Sequence, residues 1–258
     1  MLPKSSVLHL NISTGRAADF VDAILQLGAA RTSAYVCFAN VHMLVEAERN
    51  PEFAKVVNGA AVTAPDGSPV AAAVHWFRGP AQERVAGMDL LPVLLRAAAE
   101  RGQSVYFYGT TVGVLGAMVE RAQRELPTLR IAGVHAPPFR ALSEAEDAAD
   151  VATIVAADPD LVFVALGCPR QERWMAAHQG RIRGCMLGVG QAFPVYAGLE
   201  PRLPVWARRL WLEWAYRLWL EPRRLGWRYL TTNSRFLYLM ARRSVRNMSG
   251  RLPALSLA

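Results

Sequence analysis

A chain of 258 residues with 52% hydrophobic residues can bury a large core and sits between the sizes of one domain and two. Its net charge of +8 is unevenly placed: residues 201–258 hold twelve Arg, no Lys and two Glu, a balance of +10, which leaves the first 200 residues at −2. Three widely spaced cysteines, Cys37, Cys168 and Cys185, match neither a zinc pattern nor a disulfide framework, and no apolar run nears the ~18 residues of a membrane span.

Residues 7–12 alternate as an edge strand, and Thr14 or Gly15 then opens a helix over 17–27. The apolar run 33–40 reads as a buried strand ending at Asn40, with a helix over 41–48 behind it. A second short strand over 60–64 runs into Pro65-Asp66-Gly67, a turn in which Pro presets φ and Gly accepts φ > 0. An isolated Pro-Asp-Gly is ordinary turn chemistry. Here two strands each end in a polar side chain, which would bring Asn40 and Asp66 to one edge of a parallel sheet, where α/β proteins bind ligands.

The middle of the chain repeats the pattern. A helix over 90–101 ends at Gly102, a strand over 104–109 enters Gly109-Thr110-Thr111-Val112-Gly113, and a helix follows to 125. Such a turn cradles an anion on helix N-terminal N–H groups or serves as plain strand-to-helix geometry, and it lacks the glycine order of a dinucleotide fingerprint. A strand over 129–134 precedes a helix capped by Ser143, with Glu144 and Glu146 in its first turn. Residues 160–167 give the strongest strand signal. They turn at Gly167-Cys168-Pro169 into a helix that carries Gln171 and Glu172, and 183–189 supplies one more strand, ending in Gly188-Val189-Gly190. Strands alternating with helices argue for an α/β fold, a mostly parallel sheet with helices on both faces.

After Pro204 the texture changes. Residues 205–220 are apolar nearly all round a helix, broken by the line Arg209, Glu213, Arg217 and Glu221. Five of the seven Trp lie beyond residue 200. Arg224, Arg228, Arg235, Arg242 and Arg246 then share one helical face, with Phe236, Leu237 and Met240 on another. A basic, aromatic tail on a nearly neutral body suggests an anionic partner. The expected division is therefore a catalytic body over 1–200 and a basic helical appendage over 201–258.

Asn40, Pro65-Asp66-Gly67, Glu83-Arg84-Val85-x-Gly87, Gly167-x-Pro169-x-Gln171-Glu172, Gly188-Val189-Gly190, Glu213-Trp214-x-x-Arg217 and Glu221-Pro222-x-Arg224 stand in the order found in the WecG/TagA/CpsF family, glycosyltransferase family 26. Over about residues 7–240 the chain resembles that family. The resemblance implies a Rossmann-like fold of the type called GT-E with a C-terminal appendage. It also implies a metal-independent, inverting hexosyltransferase without cofactor, moving a sugar from a UDP-sugar to a polyprenyl-diphosphate-linked saccharide in exopolysaccharide or cell-envelope glycan synthesis.

Position by position, the resemblance makes Asp66 the catalytic base and Asn40 and Gln171 active-site polar residues. Arg84 becomes the motif arginine, and Arg217 and Arg224 the appendage arginines that reach the diphosphate. Gly109, Thr110 and Gly190 join them as substrate-binding positions at strand ends. Two departures stand out: Phe38 where family members often have Thr, and Pro194 where they have Asp. The expected location is cytoplasmic, peripheral on the inner face of the cytoplasmic membrane, with an anionic membrane surface and a lipid-linked acceptor as partners and homo-oligomerisation open. Two other classes compete. The pI near 9.9 suits a nucleic-acid-binding module, although the slightly negative body argues against nucleic acid as a partner. A Rossmann dinucleotide oxidoreductase would need the glycine fingerprint that is missing.

Overall fold

A computed structural model describes residues 1–77, 79–201 and 222–249, with side chains of the last segment described from 231 to 245. The stretch read as one edge strand is a hairpin: β1 (Lys4–Val7) pairs antiparallel with β2 (Leu10–Ser13), and the chain reverses at Leu8, where φ is 54°. Alternation looks the same on both sides of a two-residue turn, so the pattern could not reveal the reversal.

The chain continues through α1 (Ala17–Ala30), β3 (Tyr35–Ala39), α2 (Val41–Arg49), α3 (Pro51–Asn58), β4 (Val62–Pro65), α4 (Ser68–Trp76) and α5 (Gly87–Glu100). Then come β5 (Ser104–Gly109), α6 (Val112–Glu125), β6 (Arg130–His135), α7 (Glu144–Ala157), β7 (Leu161–Ala165), α8 (Arg170–Ala177), β8 (Cys185–Gly188), the short α9 (Ala192–Tyr196) and α10 (Pro222–Ser249). Strands β3 to β8 form one sheet in the order β4-β3-β8-β7-β5-β6, and every bonded pair is parallel.

Except at the edge strand β6, both faces of this sheet are buried, which is why most of its strands read as unbroken apolar runs. Val36, Phe38, Phe107, Phe163 and Leu187 point to one side and pack against α1, α5, α6 and α9. Tyr35, Cys37, Tyr108, Val164 and Met186 point to the other and meet α2, α3, α7 and α8. Phe107 sits edge-on to Phe193 of α9, ring centroids 5.7 Å apart at 88°, a favoured aromatic geometry. The hairpin covers the outer strand, where Thr63 N–H donates to Ser13 Oγ at 3.0 Å.

Helix α10 is the basic amphipathic helix expected after residue 221, but much of its apolar side is turned inward, while Leu237 stays exposed. Thr232, Phe236 and Leu239 are buried, Phe236 and Met240 join the core on the α2 side, and Arg235 makes two contacts to Glu48 of α2 at 3.1 and 3.2 Å. Trp76 Nε1 donates to Ser244 Oγ at 2.8 Å. The expected seat on the inner membrane face is corrected accordingly. Among the described residues no helix is long and apolar enough to cross a membrane, and Phe236 and Met240, grouped on the helix's apolar face, are spent on the body. The helix expected over 205–220, with Arg217, lies outside the described residues, as does the side chain of Arg224.

Candidate active site at the strand ends

Because the six strands run parallel, the residue after each one arrives at the same edge. Asp66 follows β4, Asn40 follows β3, Gly190 lies just past β8, the loop to Gln171 leaves β7, and Gly109 and Thr110 end β5. In sheet order these ends read Asp66, Asn40, Gly190, Gln171, Gly109, across four strand spacings or roughly 20 Å.

Asp66 is half-buried, and its N–H donates to Ala39 O at 2.9 Å, so the base candidate is tied to the end of the neighbouring strand. Gly67 takes φ 119°, which turns the chain at once into α4 and holds the carboxylate at the edge. Asn40 caps α2: its Oδ1 accepts from Met43 N–H at 3.1 Å, while its Nδ2 has no partner among the described residues. Phe38, at one of the two departures, is 4% exposed and packs against Gly87 where α5 begins.

Arg84 is brought beside Asp66 by a backbone bond from Val85 N–H to Pro65 O at 2.9 Å. Its guanidinium is ion-paired with Asp89 in the first turn of α5. The sequence offered Arg84 as an anion ligand; the structure gives that charge a carboxylate partner five residues on.

At the far end, Gly109 at φ 114° and Thr110 at φ 56° bend the chain sharply, and Thr110 N–H donates to Ala165 O at 3.0 Å. A β-branched residue at positive φ is strained, and such strain gathers at functional sites. Thr111 Oγ1 then caps α6, whose first-turn N–H groups face the strand ends.

The middle of the edge is organised by Gln171. Its Oε1 accepts from Gly167 N–H at 3.2 Å, and its Nε2 donates to Gly188 O at 2.9 Å and to Glu172 Oε1 at 2.8 Å. Only 5% exposed, the amide ties β7 to β8 rather than reaching out with its donors. Glu172, quoted in the sequence motif without a role, is fully buried, and burial pushes its carboxyl above the ordinary range. One signal could have found it: Gln171 and Glu172 stand four and three residues before Met175, a core residue of α8, so all three share the inward face.

Helix α8 is braced from behind by α7. Trp174 Nε1 donates to Asp147 Oδ1 at 3.0 Å, His178 Nε2 lies 2.8 Å from Asp147 Oδ2, and Tyr108 Oη donates to Asp150 Oδ2 at 2.7 Å. Among the described residues no three His, Cys, Asp or Glu side chains gather as a metal site.

The family model of the glycosyl transferase WecG/TagA/CpsF family matches residues 5–250. A protein of Bacillus spizizenii named N-acetylglucosaminyldiphosphoundecaprenol N-acetyl-beta-D-mannosaminyltransferase is 33% identical over 205 residues, 79% of this chain and 77% of its own length. A protein of the same name from Staphylococcus aureus is 29% identical over 193 residues, 74% of each chain.

Proposed function

The chain belongs to the WecG/TagA/CpsF family of glycosyl transferases, and from that premise we propose an inverting transferase that moves a sugar from a UDP-sugar to a polyprenyl-diphosphate-linked saccharide. The observation that carries the reading is Asp66, a half-buried carboxylate at a strand end beside Asn40 and Arg84. Inverting transfer needs one base within ~3 Å of the acceptor hydroxyl, on the face opposite the leaving diphosphate. Asp66 takes the hydroxyl proton as the oxygen bonds to the anomeric carbon, and the bond from that carbon to the diphosphate breaks with its electrons on UDP.

The same geometry orients the donor. The diphosphate is bonded to the reacting carbon, so it must lie near Asp66, at the ends of β3 and β8, where Asn40 Nδ2 and the backbone around Gly190 can meet it. The Gly109-Thr110 turn is four strand spacings away, roughly 20 Å, and suits the nucleoside end. Arg217 and Arg224, in the appendage over 201–258, supply the charge that leaving UDP needs. The sheet order and its two helical layers agree with a Rossmann-like body of the GT-E kind.

The test is UDP release from a panel of UDP-sugars with a polyprenyl-diphosphate monosaccharide, beginning with UDP-N-acetylmannosamine because of the relatives' names and continuing with its uronic acid, UDP-glucose and UDP-galactose. Asp66→Asn should lose about 100-fold or more in kcat with an unchanged unfolding midpoint. Equal turnover by both proteins removes Asp66 from the mechanism.

A further inference from the structure

Gln171 can donate two hydrogen bonds through Nε2, and both are committed: one to Gly188 O, the other to Glu172 Oε1. The site is cut to fit this amide. A Cβ at Gly188 would stand 3.0 Å from Gln171 Nε2 and one at Gly190 3.3 Å from Oε1, so the two glycines after Leu187 leave the room it fills. Glu172 lies beneath, fully buried, and among the described residues no cation is ion-paired with it.

We infer that Glu172 is a positioning residue: its Oε1 holds the Gln171 amide in the one orientation that fastens Gly167 after β7 to Gly188 of β8, and so sets the floor on which the donor is laid. The inference rests on the transferase reading for its kinetic arm only. Burial raises the Glu172 carboxyl above its ordinary range, so the fold favours the protonated form more than the unfolded chain does. Glu172 Oε2 has no hydrogen-bond partner among the described residues, which a protonated carboxyl tolerates far better than a carboxylate. Gln171, the Glu172 backbone and the thiol of Cys168 in the loop before α8 hydrogen-bond the carboxyl and favour its charged form, but burial outweighs them; the thiol of Cys37 on β3 offers no positive charge, and Lys4 on the hairpin acts on Cys37. Without the acceptor, one buried N–H of Gln171 is orphaned, and the amide rotates at the expense of Gly188 or Gly167.

The test compares wild type, Glu172→Gln and Glu172→Leu. Glutamine keeps a neutral acceptor of the same shape; leucine keeps the bulk and removes the acceptor. Glu172→Gln should retain kcat within about threefold, while Glu172→Leu loses roughly tenfold to 100-fold, as misplaced donors do, with KM for UDP-sugar moving less. Exchange of the Gln171 side-chain amide protons, read by NMR, should stay slow in wild type and Glu172→Gln and become fast in Glu172→Leu.

A third readout needs no substrate. An acid that keeps its proton in the fold above the ordinary value of 4.5 loses folding constant as pH rises, so wild type should fall behind Glu172→Gln by up to about tenfold per pH unit from there upward. A Glu172→Leu protein with wild-type kcat and a protected Gln171 amide overturns the inference. So does a Glu172→Gln protein as impaired as Glu172→Leu, or parallel stability profiles. If wild type turns over no UDP-sugar while amide protection follows the expected order, the transferase reading falls and the positioning role stands.

Discussion

Substituting Gly109 by alanine puts a methyl group where the structure has no room for one. An ideal Cβ there would stand 2.4 Å from Ala165 O and 2.6 Å from its carbonyl carbon, both backbone atoms of β7. Neither can move alone, since Ala165 is the register partner of Gly109 and its oxygen holds Thr110 N–H at 3.0 Å. The φ of 114° adds about 1–2 kcal/mol for an L side chain, overpacking about 1–3, and loss of the Thr110 bond about 1. Gly109→Ala should therefore destabilise the protein by about 3–6 kcal/mol, or roughly 10–15 °C in a chain of this size. Gly113→Ala is the internal control: no atom lies within 4 Å of its Cβ and it sits in the first turn of α6, so it should be neutral or stabilise by up to about 0.5 kcal/mol. Urea titrations followed by far-UV circular dichroism, with slopes compared, measure both. A Gly109→Ala protein within about 0.5 kcal/mol of wild type would refute the claim that β5 and β7 are locked together at the site.

Two further outcomes follow from side chains away from the strand ends. Glu146 accepts hydrogen bonds from Arg140 and reciprocates the Ser143 cap, and these bonds, Arg140's foremost, hold its carboxyl down to about 2 from 4.5. Its folded value is depressed, so the stabilisation is complete above about 4.5 and disappears as pH falls toward about 2. The difference in unfolding midpoint between wild type and Glu146→Gln should accordingly shrink across that window, and a difference independent of pH contradicts the assignment. Elsewhere on the same face of the sheet, Arg235 and Glu48 join α10 to α2 with side chains 39% and 13% exposed. A double-mutant cycle with Arg235→Met and Glu48→Gln should give a coupling of about 0.5–1 kcal/mol that weakens in 1 M salt. A coupling of zero at low salt would mean that the two side chains meet without holding the helices together.

Much of the fold could be read because most strands are buried on both faces. Residues 104–109 and 161–165 are short runs without a polar break, and each stands between helices of ordinary length, so type and place follow together. What escaped had a physical reason in each case. Helix α3 begins at Asn50-Pro51, with Asn50 Oδ1 accepting from Phe53 N–H at 3.0 Å, but eight residues directly behind another helix look like its continuation. Helix α4 is nearly all apolar and shows no stripe. The docking of α10 depends on α2 presenting Glu48 and its apolar face, a partner almost 190 residues away that no local periodicity can name.

The site divides along the same line. Asp66 was legible because its reason is local: an apolar run, a proline that ends it and a glycine that turns the chain define a half-buried carboxylate at an edge. Gln171 was legible as a polar residue near a strand end, but its use was not, since its partners are fixed by strand order. The ends arrive along the chain as 40, 66, 109, 171 and 190, yet stand in space as 66, 40, 190, 171 and 109, because the last two strands of the sheet insert between β3 and β5. That insertion places Gly188 within reach of the Gln171 amide, makes that side chain a tie between strands, and gives the buried Glu172 something to hold. It also separates Asp66 from the Gly109 turn by four strand spacings, which no motif order could convey. On the transferase reading proposed above, one elongated donor laid across the whole edge would account for both ends, whereas a diphosphate seated at the α6 turn would leave the carboxylate out of reach of the reacting carbon.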